Sequence, residues 1–462
     1  MLKIIYTSIQ ISPIYLNELA FYLVSRPIVF SHPRQISNST ILKKMNYLAR
    51  MLKFILLAAI FLLLLDAYAF KGVSLLTNGL SGTIPTFIKV VYWTISVLVV
   101  VQFINLFTHW HEYRVNRPEF VRFWSSVFFV ILFAKMSIIF NHLFEDIIWG
   151  MKWLYAKISL TKEEFSGTTI TRSNFLTKLG AGMAIISLGA YTYGVVKGRY
   201  AFRVIRDKIK FSNLPKAFTG LKIVQISDLH LGSFINDFEE VGKAITMINS
   251  LKPDLIFFTG DMVNVHSDEA EPWIDIFGKL EAKLGKYSVF GNHDYCDYGD
   301  YTEEEKQQSI DRLKAIHGEM GFRLLEDEHL FIEKDQEKIA LIGIHNWGKG
   351  FHQEGDLDKA IEGLDESYFQ ILLSHDPTLW EEKVNAKLPI DLTFSGHTHG
   401  MQMGVEIPSL GIKISPIRFR YKRWAGLYSE NKNHLYINRG FGFLGFPGRV
   451  GMWPEITLLE LE

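Results

Sequence analysis

Five short apolar runs in the second half of the chain each end in side chains able to hold a metal ion or move a proton. Lys222–Ser227 leads into Asp228-Leu229-His230, Leu255–Phe258 into Thr259-Gly260-Asp261, and Tyr287–Phe290 into Gly291-Asn292-His293-Asp294. Phe369–Leu373 leads into Ser374-His375-Asp376, and Leu392–Phe394 into Ser395-Gly396-His397-Thr398-His399. Taken singly, an Asp at a strand end is more often a turn or a helix cap, and a lone His a satisfied surface group. Five such ends together, often beside a Gly that lets the backbone turn sharply, make a site rather than a packing solution. Imidazole, carboxylate and amide oxygen without thiolate suit borderline divalent ions such as Mn, Fe, Zn or Co. One carboxylate giving an oxygen to each of two ions bridges them, and two ions about 4 Å apart clamp a phosphoryl group and activate water.

These residues need a scaffold that brings strand ends to one edge. From about residue 211 the chain alternates apolar runs with helical patterns. Strands are expected at Lys222–Ile226, Asp254–Phe258, Tyr287–Phe290, Ile339–Ile344, Phe369–Leu373 and Ile390–Phe394. Phe238, Val241, Ile245 and Ile248 fall at helical spacing within 237–250, a helix is expected over 271–284, and Thr302 caps another that Gly321 ends. The alternation indicates a layered α/β domain. In open α/β sheets, ligands bind beyond the carboxyl ends of the strands.

The motifs Asp-x-His, Gly-Asp, Gly-Asn-His-Asp, a lone His after a strand, and Gly-His-x-His resemble, in order, those of the calcineurin-like metallophosphoesterases. The resemblance covers roughly residues 215–462, with no ligand substituted. It implies a two-sheet β-sandwich flanked by helices and two divalent metal ions. It assigns Asp228, His230, Asp261 and His399 to one ion, with Asp261 bridging, and Asn292, His375 and His397 to the second. His293 is then the general acid or transition-state stabiliser, oriented by Asp261 or another nearby carboxylate.

The first half reads as membrane. Leu52–Phe70, Ile84–Phe107, Phe123–Phe140 and Phe175–Val196 are long and apolar enough to cross a bilayer, which takes roughly 20 residues. The expected organisation is an N-terminal extension at 1–50, with Met45 or Met51 as alternative starts, and a four-helix transmembrane region at 51–198. A basic stem at 199–214 and the catalytic domain at 215–462 follow. Residues 1–200 carry 20 Lys and Arg against 8 Asp and Glu, and the remainder 29 against 41, so a zero net charge hides +12 and −12. An acidic catalytic half argues against nucleic acid as a partner. Basic residues before the first span, between the second and third, and after the fourth place both ends and the catalytic domain in the cytoplasm, with the spans in the inner membrane. Thr171–Leu176 is similar to a twin-arginine export signal lacking its second Arg, which would reverse that side. The run IIWGMKWLYA at 147–156 is suited to lying along the interface. Lys135, inside the third span, is costly there unless it snorkels, pairs or meets a ligand, and snorkelling is expected. The single cysteine, Cys296, excludes an internal disulfide framework, and the proposed ligand set is complete without it.

The tail motifs Asn438-Arg439-Gly440, Gly445-Phe446-Pro447-Gly448-Arg449 and Trp453–Thr457 are similar to the close of a membrane-anchored bacterial subgroup of the family. Some of its members resemble enzymes that cleave UDP-2,3-diacylglucosamine in lipid A synthesis. Arg439 and Arg449 are candidate phosphate-binding residues. Phe441, Phe443, Leu444 and Phe446 either meet acyl chains or pack as core. The expected activity is hydrolysis of a phosphodiester or pyrophosphate, with a phosphorylated, lipid-linked substrate. Alternatives are a soluble or phospholipid substrate, or a non-catalytic receptor or scaffold. A degenerate enzyme usually loses His293 or one His of the Gly-His-x-His pair, and this chain keeps both.

Overall fold

A computed structural model describes residues 38–158 and 169–462. The chain divides into one unit of residues 1–58 and another of residues 59–462. The expected extension at 1–50 lies largely outside the described residues, and so does the side chain of Arg172. The first part is helical: α1 (Asn38–Thr77), α2 (Ile84–Thr108), α3 (Trp110–Asn116), α4 (Pro118–Ile158) and α5 (Thr169–Val196). Four of these helices carry spans long and apolar enough to cross a membrane, at Arg50–Thr77, Ile84–Thr108, Pro118–Ile158 and Phe175–Val196. α4 is longer than the expected third span. At 1.5 Å per residue its 41 residues reach about 60 Å, roughly twice the hydrocarbon thickness of a bilayer. The run IIWGMKWLYA continues this helix, since 141–158 holds no Pro to stop it.

Lys135 does not snorkel. Its Nζ donates to Asp66 Oδ1 (2.6 Å) and Ser96 Oγ (2.8 Å), and lies 5.0 Å from the Tyr92 ring centroid. Asp66 and Ser96 are buried, so one charge compensates the other inside the bundle. A buried pair of this kind contributes little net stability, but removing one partner strands a charge, typically at about 3–5 kcal/mol.

The second part holds two six-stranded sheets. The first runs β1 (Arg203–Ile209), β14 (Glu455–Leu461), β2 (Lys222–Ile226), β3 (Leu255–Phe258), β4 (Lys286–Ser288), β5 (Arg323–Leu324). The second runs β12 (Gly426–Glu430), β13 (Asn433–Ile437), β9 (Leu392–Ser395), β8 (Gln370–Leu373), β7 (Glu337–Gly343), β6 (Glu328–Lys334). β2, β3 and β4 pair in parallel, as do β7, β8 and β9. Side chains alternate between two buried layers. Ile223, Leu255, Phe257, Ile371, Leu373, Leu392 and Phe394 fill the space between the sheets. Val224, Ile226, Ile256 and Phe258 face an outer layer that includes Val241, Ile245 and Ile248 of α6 (Phe238–Ser250) and Leu313 and Ile316 of α7 (Glu303–Glu319). The strands are therefore apolar on both faces, as buried parallel strands are.

Two expectations change. Residues 203–209, expected within a basic stem, form edge strand β1, parallel to β14 from Arg203–Glu455 to Ile209–Leu461. Their Arg and Lys side chains hid a strand whose last residue, Ile209, is buried. The helix expected over 271–284 shrinks to short turns at Glu271–Trp273 and Ile274–Phe277. Pro272 opens it and Gly278 breaks it, leaving an extended approach to β4.

The Lys135 pair gives a direct test. Lys135→Met should lower the melting temperature of detergent-solubilised protein, because Asp66 is left charged and buried. Adding Asp66→Asn should recover most of the loss. If the single variant melts like the parent, the pair is not structural.

Candidate metal centre and its surroundings

All five strand ends meet at one edge. β2 delivers Asp228 and His230, β3 Asp261, the turn after β4 Asn292 and His293, β8 His375, and β9 His397 and His399. The sheets are stitched together there: Gln225 Nε2 donates to Thr259 Oγ1 and to the Ser395 carbonyl (both 2.9 Å). Asp228, His230, Asp261, His397 and His399 all have positive φ, between 45° and 71°. Non-glycine residues enter this region rarely, at a cost of order 1 kcal/mol or more each, and do so mainly where function requires it. Two glycines make the approach possible. A Cβ on Gly396 would strike Ser227 Oγ and Asp228 Oδ2, and one on Gly291 would strike Asp261 Oδ1.

The donor atoms form two groups, Asp228–His230–His399 and Asp261–His375–His397. In the first, His399 Nε2 lies 3.1 Å from both Asp228 Oδ1 and His230 Nε2. In the second, His375 Nε2 lies 3.1 Å from Asp261 Oδ2 and 3.2 Å from His397 Nδ1. Asp261 Oδ2 is also 3.6 Å from His230 Nε2, so this one carboxylate stands between the groups. Asn292 donates its amide to the Tyr298 hydroxyl (2.7 Å), leaving its buried Oδ1 without a hydrogen-bond partner among the described residues.

The rear contacts orient the rings. His375 Nδ1 donates to the Thr259 carbonyl (2.7 Å), which turns its Nε2 inward. His397 Nε2 faces Tyr421 Oη (2.8 Å), with Asp376 Oδ2 at 3.4 Å, which turns its Nδ1 inward. The two inward nitrogens lie 3.2 Å apart, a spacing at which they share either a proton or a cation. The field draws positive charge to the same place. Burial opposes charge on His375, yet Asp261 and Asp228 outweigh it and push its pKa up to about 10. Burial also works against ionised Asp261, and the histidines around it hold its carboxyl well below the usual range. The residues present therefore fit a pair of divalent ions, with imidazoles oriented from behind as metal ligands usually are.

Other residues act around this set. Asp294 accepts backbone N–H groups of Gly291 (2.8 Å), Asp261 (3.0 Å) and Met262 (2.8 Å), tying the turns after β3 and β4 together. Burial and nearby Asp261 raise its pKa to about 7. His293 is not oriented by a carboxylate: its ring Nδ1 donates to the Asn264 carbonyl (2.7 Å), while Asp261 Oδ1 accepts its backbone N–H (2.8 Å). Its ring stacks on Tyr298 at 4.1 Å. Cys296 is buried and in neither group.

The tail arginines are not poised for substrate. Arg439 is buried between Glu455 (2.5 Å) and Glu406 (2.7 Å), which already satisfy its charge. Arg449 is fully buried behind His399. It donates to the Gly442 carbonyl (2.6 and 2.8 Å) and makes only a long 3.3 Å contact with His399 Nδ1. Phe441 and Phe443 pack in the core with Phe234. Phe446 packs against Phe129 and Phe133 of α4 and Tyr191 of α5, at 5.6, 6.0 and 5.8 Å.

Tyr421→Phe removes a group behind His397 without touching a ligand. It should weaken one of the two Mn²⁺ binding events by about tenfold, the low end of the usual effect of such supports. Calorimetric titration of metal-stripped protein measures this, and two unchanged binding events would remove Tyr421 from the supporting role.

Comparison with known proteins agrees with this geometry. Residues 50–199 match the model of the probable calcineurin-like phosphoesterase transmembrane domain, and residues 221–401 match that of the calcineurin-like phosphoesterases. The chain is 30% identical over 299 residues to the uncharacterized metallophosphoesterase YkuE of Bacillus subtilis, covering 63% of this chain and 98% of that protein. It is 27% identical over 290 residues to a zebrafish (Danio rerio) transmembrane protein with metallophosphoesterase domain, covering 60% of this chain and 61% of that one. It is also 28% identical over 277 residues to a Chlamydia muridarum protein named UDP-2,3-diacylglucosamine pyrophosphatase LpxG, covering 50% of this chain and 81% of that one. With two adjacent histidine–carboxylate groups beyond paired parallel strands, and apolar helices ahead of them, the chain belongs to the calcineurin-like phosphoesterase family as a metal-dependent phosphoester hydrolase associated with membranes.

Proposed function

We propose that the protein hydrolyses a phosphodiester or pyrophosphate bond of a lipid-linked substrate, of which UDP-2,3-diacylglucosamine is one example. The observation that carries the hydrolytic reading is the pair of ligand groups, with Asp261 Oδ2 3.6 Å from His230 of the other group and His293 on the adjoining turn. Asp228, His230, Asp261 and His399 would hold one ion, and Asp261, Asn292, His375 and His397 the other. When bound, the ions supply Lewis acidity toward the phosphoryl oxygens and lower the pKa of water. His293, held through Nδ1 by the Asn264 carbonyl, keeps Nε2 available to give a proton to the leaving oxygen when the ring is doubly protonated. Two observations support the lipid part. The 446–450 loop rests on the apolar helices, with the Arg449 backbone N–H donating to the Gly194 carbonyl of α5 (3.1 Å). The named LpxG relatives act on a lipid-linked pyrophosphate by their printed description. The basic residues flanking the spans support an inner-membrane location with the catalytic domain in the cytoplasm.

Full-length protein loaded with Mn²⁺ should hydrolyse a chromogenic phosphodiester. His293→Ala should retain two ions and lose about 10²–10⁴-fold in rate, the usual contribution of a positioned proton donor. Asp261→Asn should lose activity together with most of the second ion, because a neutral amide cannot offset the repulsion between two close dications. Metal analysis finding two ions per chain in Asp261→Asn would refute the bridging role. Ion loss in His293→Ala would make His293 a ligand or a structural residue.

The helical region also reaches His293 through one chain of contacts. Arg114 of α3 pairs with Glu269 (3.1 Å), Glu269 accepts the Asn264 backbone N–H (2.6 Å), and Asn264 accepts from His293 (2.7 Å). Burial raises the Glu269 pKa, against the Asn264 bond and the Arg114 charge. Arg114→Ala should therefore lower the rate about tenfold with metal content unchanged, as expected for a supporting contact. The loss should be greater for poor leaving groups than for good ones, and Arg114→Lys should recover part of it. A leaving-group-independent loss would make the contact structural only.

A further inference from the structure

Residues 405–414 form a two-stranded hairpin outside both main sheets, β10 (Val405–Ile407) and β11 (Ile412–Ile414). Val405 pairs with Ile414, Glu406 with Lys413, and Ile407 with Ile412. Alternation then puts Val405, Ile407, Ile412 and Ile414 on one face and Glu406 and Lys413 on the other. The polar face is the inward one. Glu406 accepts from Arg439 (2.7 Å), and Lys413 donates to the Ala425 carbonyl and lies 4.9 Å from the Trp424 ring centroid. The apolar face is left bare: Val405 is 52% exposed and Ile414 51%. Leu410, in the connection, is 69% exposed, and Phe419, just beyond the hairpin, is 90% exposed. This inverts the usual half-buried ribbon, with charges turned inward and β-branched residues outward. A contiguous bare apolar patch of this kind marks an interaction surface.

Continuity and charge identify the partner. The base of the hairpin runs beside the loop that sits on the apolar helices: Gly404 N–H donates to the Val450 carbonyl (2.9 Å), and Val450 N–H to the Gln402 carbonyl (2.8 Å). Gln402 Nε2 holds the Phe446 and Gly448 carbonyls (2.6 and 3.0 Å), and Phe446 lies against α4 and α5. The patch therefore starts within a few residues of a membrane-spanning helix end. Arg418, Arg420 and Lys422 are exposed beside Phe419, and the one carboxylate within 401–428, Glu406, faces inward and is paired. Apolar tips flanked by exposed cations match an anionic lipid surface, where apolar side chains enter the headgroup boundary and cations meet phosphate. We propose that the 405–419 face docks into the leaflet at which α5 ends, as a second membrane contact separate from the spanning helices. The same stretch runs from His397 and His399 to Tyr421, which contacts His397, so docking places one rim of the metal centre at the lipid surface.

The test uses full-length protein in vesicles of phosphatidylethanolamine and phosphatidylglycerol. Leu410→Cys and, as a control on an exposed turn, Glu366→Cys each carry a polarity-sensitive fluorophore; native Cys296 is buried. Quenching by lipids spin-labelled in the acyl chain should be severalfold stronger at 410 than at 366. It should weaken when phosphatidylcholine replaces phosphatidylglycerol, and when Phe419→Asp is added, with metal content unchanged. Equal quenching at 410 and 366 would overturn the proposal. So would a 410 signal that rises with protein-to-lipid ratio and accompanies 410–410 cross-linking, which would make the face an interface between two copies. No arm reads hydrolysis, so a failure here is distinguishable from a failure of the catalytic reading.

Discussion

The structure depends on crowding titratable side chains together. Nitrogen and oxygen donors of Asp228, His230, Asp261, His375, His397 and His399 converge at 3.1–3.6 Å. In a flexible chain this clustering would disperse. Here it is imposed by backbone that is itself unfavourable, since five of the six residues have positive φ. The surrounding core must over-determine the geometry, because local preference opposes it.

The sheets supply that rigidity economically. Strands of three to five residues are too short to reach beyond the core, so each ends where the two sheets meet and its first site residue follows two to four positions later. The remaining backbone groups in the turns are held by side chains chosen for it. Asp294 gathers four N–H groups, and Asp228 accepts the N–H of His397 as well as facing His399. The same carboxylates that would bind cations thus also tie one turn to the next. Metal site and fold share their energetics at this edge.

That sharing explains what is legible in the sequence and what is not. The motif residues are legible because strand, turn and donor follow one another within a few positions; the layered α/β class follows from the alternation around them, and the two-sheet arrangement from the family resemblance. Contacts across long separations are not. Arg439 reads as a phosphate ligand because its partner, Glu455, lies sixteen residues on, and a buried arginine resembles a substrate-binding one until its carboxylate is located. His293 invites a carboxylate partner by analogy with catalytic dyads, whereas a backbone carbonyl, invisible in any sequence, does the work. Strand β1 is hidden because its outward Arg and Lys outweigh Val204, Ile205 and Ile209, which do not alternate cleanly.

The helical region is more than an anchor, by the same reasoning. A tether needs only to hold the domain near a surface and would leave the site's supports to the domain itself. Instead Gly194 of α5 accepts the backbone N–H of Arg449, whose guanidinium lies behind His399, and Gly448 and Gly194 approach so closely that neither could carry a Cβ without displacing its neighbour. Arg122 of α4 holds Asp237 (2.6 Å) and the Phe234 carbonyl (3.0 Å), on the segment that continues from His230, and Arg114 holds Glu269. Three separate turns around the metal centre therefore rest on the helices. Because a packed interface has discrete arrangements rather than a continuum, a shift of the bundle relative to the sandwich must be felt at His230, His293 or His399. In that sense α3, α4 and α5 support the turns around the metal centre.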